Sequence, residues 1–215
     1  MDTDIWISIA LGTLAIAVHL LNRILRRTWN SLKYVPPQSG VKGGIETLII
    51  LGSGGHTTEM FKLISSLDTE RFHPRIYVLA EGDENSLARL KLNDPSGTLL
   101  RVPRARSVAQ SYFSSCFSTL SAFKSSLRVL IRVRPELILS NGPGTCLPLC
   151  IIGWLYRKIG ILSPKTKIVF VESVCRVKSL SLTAKLLRPF VDHVLVQWPE
   201  LSSQFPWTSY IDRFI

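Results

Sequence analysis

The sequence predicts an α/β domain, a single parallel sheet with helices on both faces, preceded by one transmembrane helix. Three observations carry this reading. From residue 47 onward, short apolar runs alternate with helical stretches, the pattern of parallel strands buried on both faces. A glycine-rich turn, Gly52-Ser53-Gly54-Gly55-His56-Thr57, follows the first run. Ahead of it, residues 5–25 form a nearly continuous apolar segment, long enough to cross a bilayer as a helix.

The first element is the anchor. Polar groups interrupt it at Ser8, Thr13, His19, Asn22 and Arg23. Asp2 and Asp4 precede it, and Arg23, Arg26, Arg27 and Lys33 follow. The positive-inside rule then puts residues 1–4 in the lumen and everything after the anchor in the cytosol. A cleaved signal peptide would need a basic start and a small-residue cleavage site, and this segment has neither. Residues 26–45 read as a basic linker containing Pro36, Pro37, Gly40, Gly43 and Gly44. The cytosolic body is then 46–215. Its cysteines Cys116, Cys146, Cys150 and Cys175 form no C-x-x-C, and no N-x-S/T acceptor occurs, both in keeping with a cytosolic location.

A chain of 215 residues holds one such body. Its net charge of +11 calls for anionic partners: a membrane surface, a phosphorylated substrate or nucleic acid. Hydrophobic residues make up 46% of the chain. There is no RNA-binding aromatic motif, zinc spacing or lysine-rich tract, so nucleic acid is set aside.

Within the body the strand candidates are 47–51, 75–80, 98–102, 136–140, 167–172 and 193–197. Helices fill the gaps. Residues 111–134 are the clearest, with Phe113, Phe117, Leu120, Phe123, Leu127 and Leu130 at helical spacing. Cys146–Leu155 is strongly apolar but too short to span a bilayer. It reads as a buried helix, with an interfacial helix dipping Trp154 and Leu155 into lipid as the rival. Arg101, Arg104 and Arg106 form a basic cluster, a solvated face or a contact for lipid phosphates. The tail 209–215 alternates apolar and polar residues, and packs as a strand on the body or joins an interface.

The turns carry the chemistry. Gly52, Gly54 and Gly55 let the backbone turn sharply and approach a ligand. Thr57 or Thr58 is placed to cap the helix continued by Met60, Phe61, Ile64 and Leu67. Free N–H groups at a helix start, with the helix dipole, favour a phosphate. A second such turn, Ser140-Asn141-Gly142-Pro143-Gly144-Thr145, follows the fourth strand. Both lie at the carboxyl edge of a parallel sheet, where ligands bind, and two phosphate-type turns suggest a diphosphate. A third segment, Phe170–Arg176, leaves a strand at the same edge and brings Glu172 and Arg176.

GSGGHT at 52–57, SNGPGT at 140–145, FVESVCRVKSLS at 170–181 and VLVQWPEL at 194–201 closely resemble one eukaryotic family. This is the membrane-anchor subunit of the two-chain UDP-N-acetylglucosamine transferase, and the resemblance covers the whole chain. It implies the Rossmann-like N-terminal, acceptor-side half of a split GT-B fold, related to the bacterial transferase that adds GlcNAc to the lipid-linked peptidoglycan precursor. It further implies addition of the second GlcNAc to GlcNAc-diphosphate-dolichol at the cytosolic face of the endoplasmic reticulum or nuclear envelope. A soluble UDP-GlcNAc-binding partner is implied as well, alongside other early dolichol-pathway transferases. A GT-B enzyme needs a second domain for the nucleotide sugar, and the body ends too soon to hold one, so the chain is expected to be inactive alone. In this reading Gly52, Gly54, Gly55, Thr57, Gly142, Gly144 and Thr145 hold the acceptor diphosphate, mainly through backbone N–H groups, with Arg176 as a cationic partner. His56 matches the histidine of the bacterial enzyme's first glycine loop, and deprotonates the acceptor hydroxyl or orients the phosphates. Glu172 is the competing base. No metal or cofactor is implied: the one D-x-D, Asp2-Thr3-Asp4, precedes the anchor.

Two rival functions fit parts of the pattern. Gly52-x-Gly54 followed by Glu81 is a loose dinucleotide fingerprint, but Thr57 stands at the third glycine position and the acidic residue comes late. A purely structural anchor for a catalytic partner is the other.

Overall fold

The chain divides into two units, Met1–Val35 and Pro36–Ile215. The computed structural model describes residues 43–103, 112–142 and 145–212, together with Gly12. The expected anchor at 5–25 and nearly all of the linker lie outside the described residues, as do Arg104, Arg106 and Gly144. Among the described residues no helix is long and apolar enough to cross a membrane.

The described body alternates strand and helix: β1 (Thr47–Ile50), α1 (Gly55–Ser65), β2 (Arg75–Ala80), α2 (Glu84–Asn93), β3 (Thr98–Val102) and α3 (Tyr112–Val133). β4 (Leu137–Asn141), α4 (Cys146–Lys158), β5 (Lys167–Val171), α5 (Leu182–Leu187), β6 (His193–Val196), α6 (Pro199–Gln204) and β7 (Ser209–Tyr210) complete it. The strands form one sheet in the order β3-β2-β1-β4-β5-β6-β7, and each neighbouring pair is parallel. The expected Rossmann-like α/β architecture is therefore present. The strand order reverses between β1 and β4, which makes their carboxyl ends the topological switch point where ligands bind in such sheets.

Each strand's burial explains its sequence. β1 is sealed on both faces, with Leu48, Ile49 and Ile50 fully buried, so an unbroken apolar run replaces the alternation of a half-exposed strand. On one face Ile49, Leu51, Tyr77, Leu79, Leu139 and Val171 pack with Met60, Phe61, Leu63 and Ile64 of α1 and Leu90 of α2. On the other, α4 lies so close to the sheet that a side chain at Gly153 would meet Ile138 at 2.7 Å.

Residues 146–155 belong to a helix packed on the body, with Cys146, Leu149 and Cys150 fully buried and Trp154 edge-on to Phe190 at 5.3 Å. The tail adds an edge strand, β7, paired with β6. One expectation is corrected. Neither Thr57 nor Thr58 caps α1, which begins at Gly55 with Gly54 at its N-cap. Gly54 adopts φ 66°, ψ −123°, a backbone shape other residues avoid, so the chain can enter the helix at least three residues earlier.

Candidate functional site

The turns after β1, β4 and β5 meet at the switch point around an open cleft of about 420 Å³. Gly55, His56 and Glu59 line it from α1, Gly142 from the turn after β4, and Glu172, Ser173, Cys175 and Arg176 from the turn after β5.

The close approach of the first two turns depends on glycine. A Cβ at Gly52 would stand 2.8 Å from both the Asn141 carbonyl oxygen and His56 Cβ. Gly142 has φ 101°, and a Cβ there would press on the His56 ring at 3.1–3.2 Å. These two glycines make room for His56. Gly55 differs: a Cβ there would meet nothing within 4 Å. No side chain caps α1, so its first-turn N–H groups, at the positive end of the helix dipole, lie uncapped beside the cleft.

His56 is held by hydrogen bonding. Its Nδ1 is 2.8 Å from Asn141 Oδ1. Asn141 Nδ2 donates to Glu59 Oε2 at 3.0 Å, and Ser173 Oγ donates to Glu59 Oε1 at 2.7 Å. Glu59 Oε2 also lies 3.8 Å from His56 Nδ1, an ion-pair distance rather than a hydrogen bond. A buried carboxylate thus ties three turns together. The Glu59 carboxylate first of all, and then the Asn141 acceptor, raise the His56 pKa above its ordinary value, against burial that lowers it. Burial works to raise Glu59, yet the nearby His56 imidazole and the hydrogen bonds from Asn141 and Ser173 outweigh it and hold the carboxyl below its usual range.

The other expected site residues divide. Glu172 is buried and spends both carboxylate oxygens on its own loop, accepting from Ser173 N at 3.0 Å and Ser181 N at 2.7 Å. That anchors the loop. The Thr57 side chain turns inward, donating to the Gly52 carbonyl oxygen and sharing a 2.6 Å bond with Ser86 Oγ. Ser86 in turn bonds Asp83, the N-cap of α2. Arg176 is exposed at the cleft, and no acidic side chain pairs with it among the described residues. Thr145 is the N-cap position of α4 but makes no side-chain capping bond.

Reading the sequence missed Glu59, the bridging role of Asn141, and Ser173. One signal was available for Glu59: it stands three residues after His56 on the same helix, where side chains are neighbours.

Comparison with known proteins supplies the family. The model of the Alg14-like oligosaccharide biosynthesis proteins matches residues 47–214. The chain belongs to the Alg14-like family. It is 39% identical over 216 residues to the mouse UDP-N-acetylglucosamine transferase subunit ALG14, covering 94% of this chain and 96% of that protein. The fission yeast subunit of the same name, from Schizosaccharomyces pombe, is 41% identical over 172 residues, covering 76% and 80%. Among solved structures, MurG of Acinetobacter baumannii superposes with a TM-score of 0.53 at 17% identity, covering 78% of this chain and 44% of MurG. The Alg14-like body therefore shares its fold with under half of MurG, as expected of one Rossmann-like half.

Proposed function

We propose that the chain is the acceptor-binding, membrane-anchoring subunit of a UDP-N-acetylglucosamine transferase. It recruits a soluble UDP-GlcNAc-binding subunit to the cytosolic face of the endoplasmic reticulum, where the two convert GlcNAc-diphosphate-dolichol to GlcNAc2-diphosphate-dolichol. One observation carries this reading: uncapped helix amides, an imidazole held by hydrogen bonds and an unpaired arginine converge on one cleft at the switch point. Its similarity to UDP-N-acetylglucosamine transferase subunits supports this reading, and so does the basic balance of the chain.

In this mechanism the first-turn amides of α1 and the Arg176 guanidinium hold the acceptor diphosphate. The Nε2 of His56 takes the proton from the acceptor hydroxyl as that oxygen bonds to the anomeric carbon of GlcNAc. The bond from that carbon to UDP breaks, and UDP leaves with the electron pair. Glu172 keeps the Arg176 loop in place.

A photoreactive lipid-diphosphate analogue tests the reading in membranes containing the full chain and its partner. Label is expected in peptides carrying Gly55, His56 or Arg176, with competition by unlabelled acceptor. Label confined to the partner, with transfer intact, would make this chain a scaffold only.

A further inference from the structure

We infer that Glu59 is a positioning residue for proton transfer, fixing the tautomer of His56 through Asn141 and stabilising the imidazolium that forms. The inference rests on the reading of His56 as the base.

The hydrogen-bond directions decide the tautomer. An ionised carboxylate only accepts. Glu59 Oε2 therefore takes a hydrogen from Asn141 Nδ2, which turns Asn141 Oδ1 toward His56. Oδ1 also only accepts, so the proton on the neutral ring must sit on Nδ1. That leaves the Nε2 lone pair free to receive a proton, the tautomer a base requires.

The placement of the charge is the second argument. Burying a carboxylate is costly unless it is fully bonded. Glu59 is 7% exposed, and its partners Asn141 and Ser173 come from 82 and 114 residues away. An apolar side chain would fill the same position between the turns without that cost. The carboxylate lies 3.8 Å from the imidazole, where it favours the protonated ring. Of the other charged groups around the ring, Glu172 acts in the same direction from the turn after β5, and Arg176 lines the same cleft. Asn141 and Gly142 bring no charge from the turn after β4.

Glu59→Gln removes the charge while keeping the shape. The new amide group can face Ser173, whose hydroxyl turns to accept, and Asn141 keeps its orientation. Two measurements are made on the full chain with its partner in native membranes. One is the pH dependence of His56 carbethoxylation by diethyl pyrocarbonate, read by peptide mass spectrometry. The other is the pH profile of kcat/KM for GlcNAc transfer. Both midpoints are expected to move to lower pH, with the plateau kcat down about tenfold or more and the acceptor KM little changed. Glu59→Asp keeps the charge but draws it back, and should move the midpoint the same way by less. Midpoints unmoved in both variants would overturn the proposal and leave Glu59 a packing residue. Unchanged turnover in His56→Ala would instead defeat the base reading, and the carbethoxylation midpoint would still decide whether Glu59 governs the ring.

Discussion

Gly52 and Gly55 stand three residues apart in one motif, yet the structure gives them opposite sensitivities to alanine. At Gly52 a Cβ falls 2.8 Å from the Asn141 carbonyl oxygen and from His56 Cβ, at least ~0.6 Å short of ordinary contact. One of these neighbours is backbone at the end of β4, so it cannot turn away. Overpacking of this kind costs about 1–3 kcal/mol, and in a body of this size each kcal/mol lowers the melting midpoint by about 2–4 °C. At Gly55 a Cβ meets nothing within 4 Å, and alanine in place of glycine in a helix gains up to about 0.5–1 kcal/mol. The assay is thermal unfolding of the full chain in detergent with a thiol-reactive fluorophore, using the fully buried Cys146 and Cys150 as reporters. Gly52→Ala should melt several degrees lower. Gly55→Ala should melt at or above the wild-type midpoint while raising the acceptor KM, because its methyl group would stand where we propose that the diphosphate binds. An unchanged midpoint for Gly52→Ala would refute the packing of the two turns. Wild-type transfer by Gly55→Ala would refute diphosphate binding at these amides.

Burial, and then the Glu136 carboxylate nearby, push the Glu46 pKa up to about 7. The folded state thus holds this proton more tightly than the unfolded chain, whose value is near 4.5, and stability falls as pH rises between the two. Glu46→Gln should therefore stabilise the body at pH 8 by about 1–2 kcal/mol after allowing for solvent screening, and do little at pH 4, as read by midpoints at the two pH values. Arg176→Ala should raise the acceptor KM by roughly 10–100-fold, the range for losing a charge-assisted hydrogen bond. It should also weaken the salt dependence of that KM while leaving the KM for UDP-GlcNAc nearly unchanged.

The fold was legible because its central strands are sealed on both faces. Runs such as Leu48–Leu51 and Ile76–Ala80 have no polar alternation to confuse them, and the ends of β1 to β6 differ from the expected ones by no more than a residue. The α1 start was misread because the N-cap rule favours threonine, whereas a glycine at positive φ did the work here. The site was legible only in outline. Glycines mark turns, but nothing local separates Gly52, which makes room for a side chain, from Gly55, which faces open space. Glu59 reads as an ordinary surface acid on a helix, because Asn141 and Ser173 reach it only through the fold. The loop amides that occupy both oxygens of Glu172 are likewise invisible in a string of residue types.

In the proposed function this chain supplies acceptor-site chemistry as well as anchorage. The most direct test is single-turnover GlcNAc transfer by the assembled complex carrying His56→Ala, with acceptor binding measured separately. The expected rate is about 100-fold or more below wild type with acceptor affinity retained. A rate equal to wild type would contradict it.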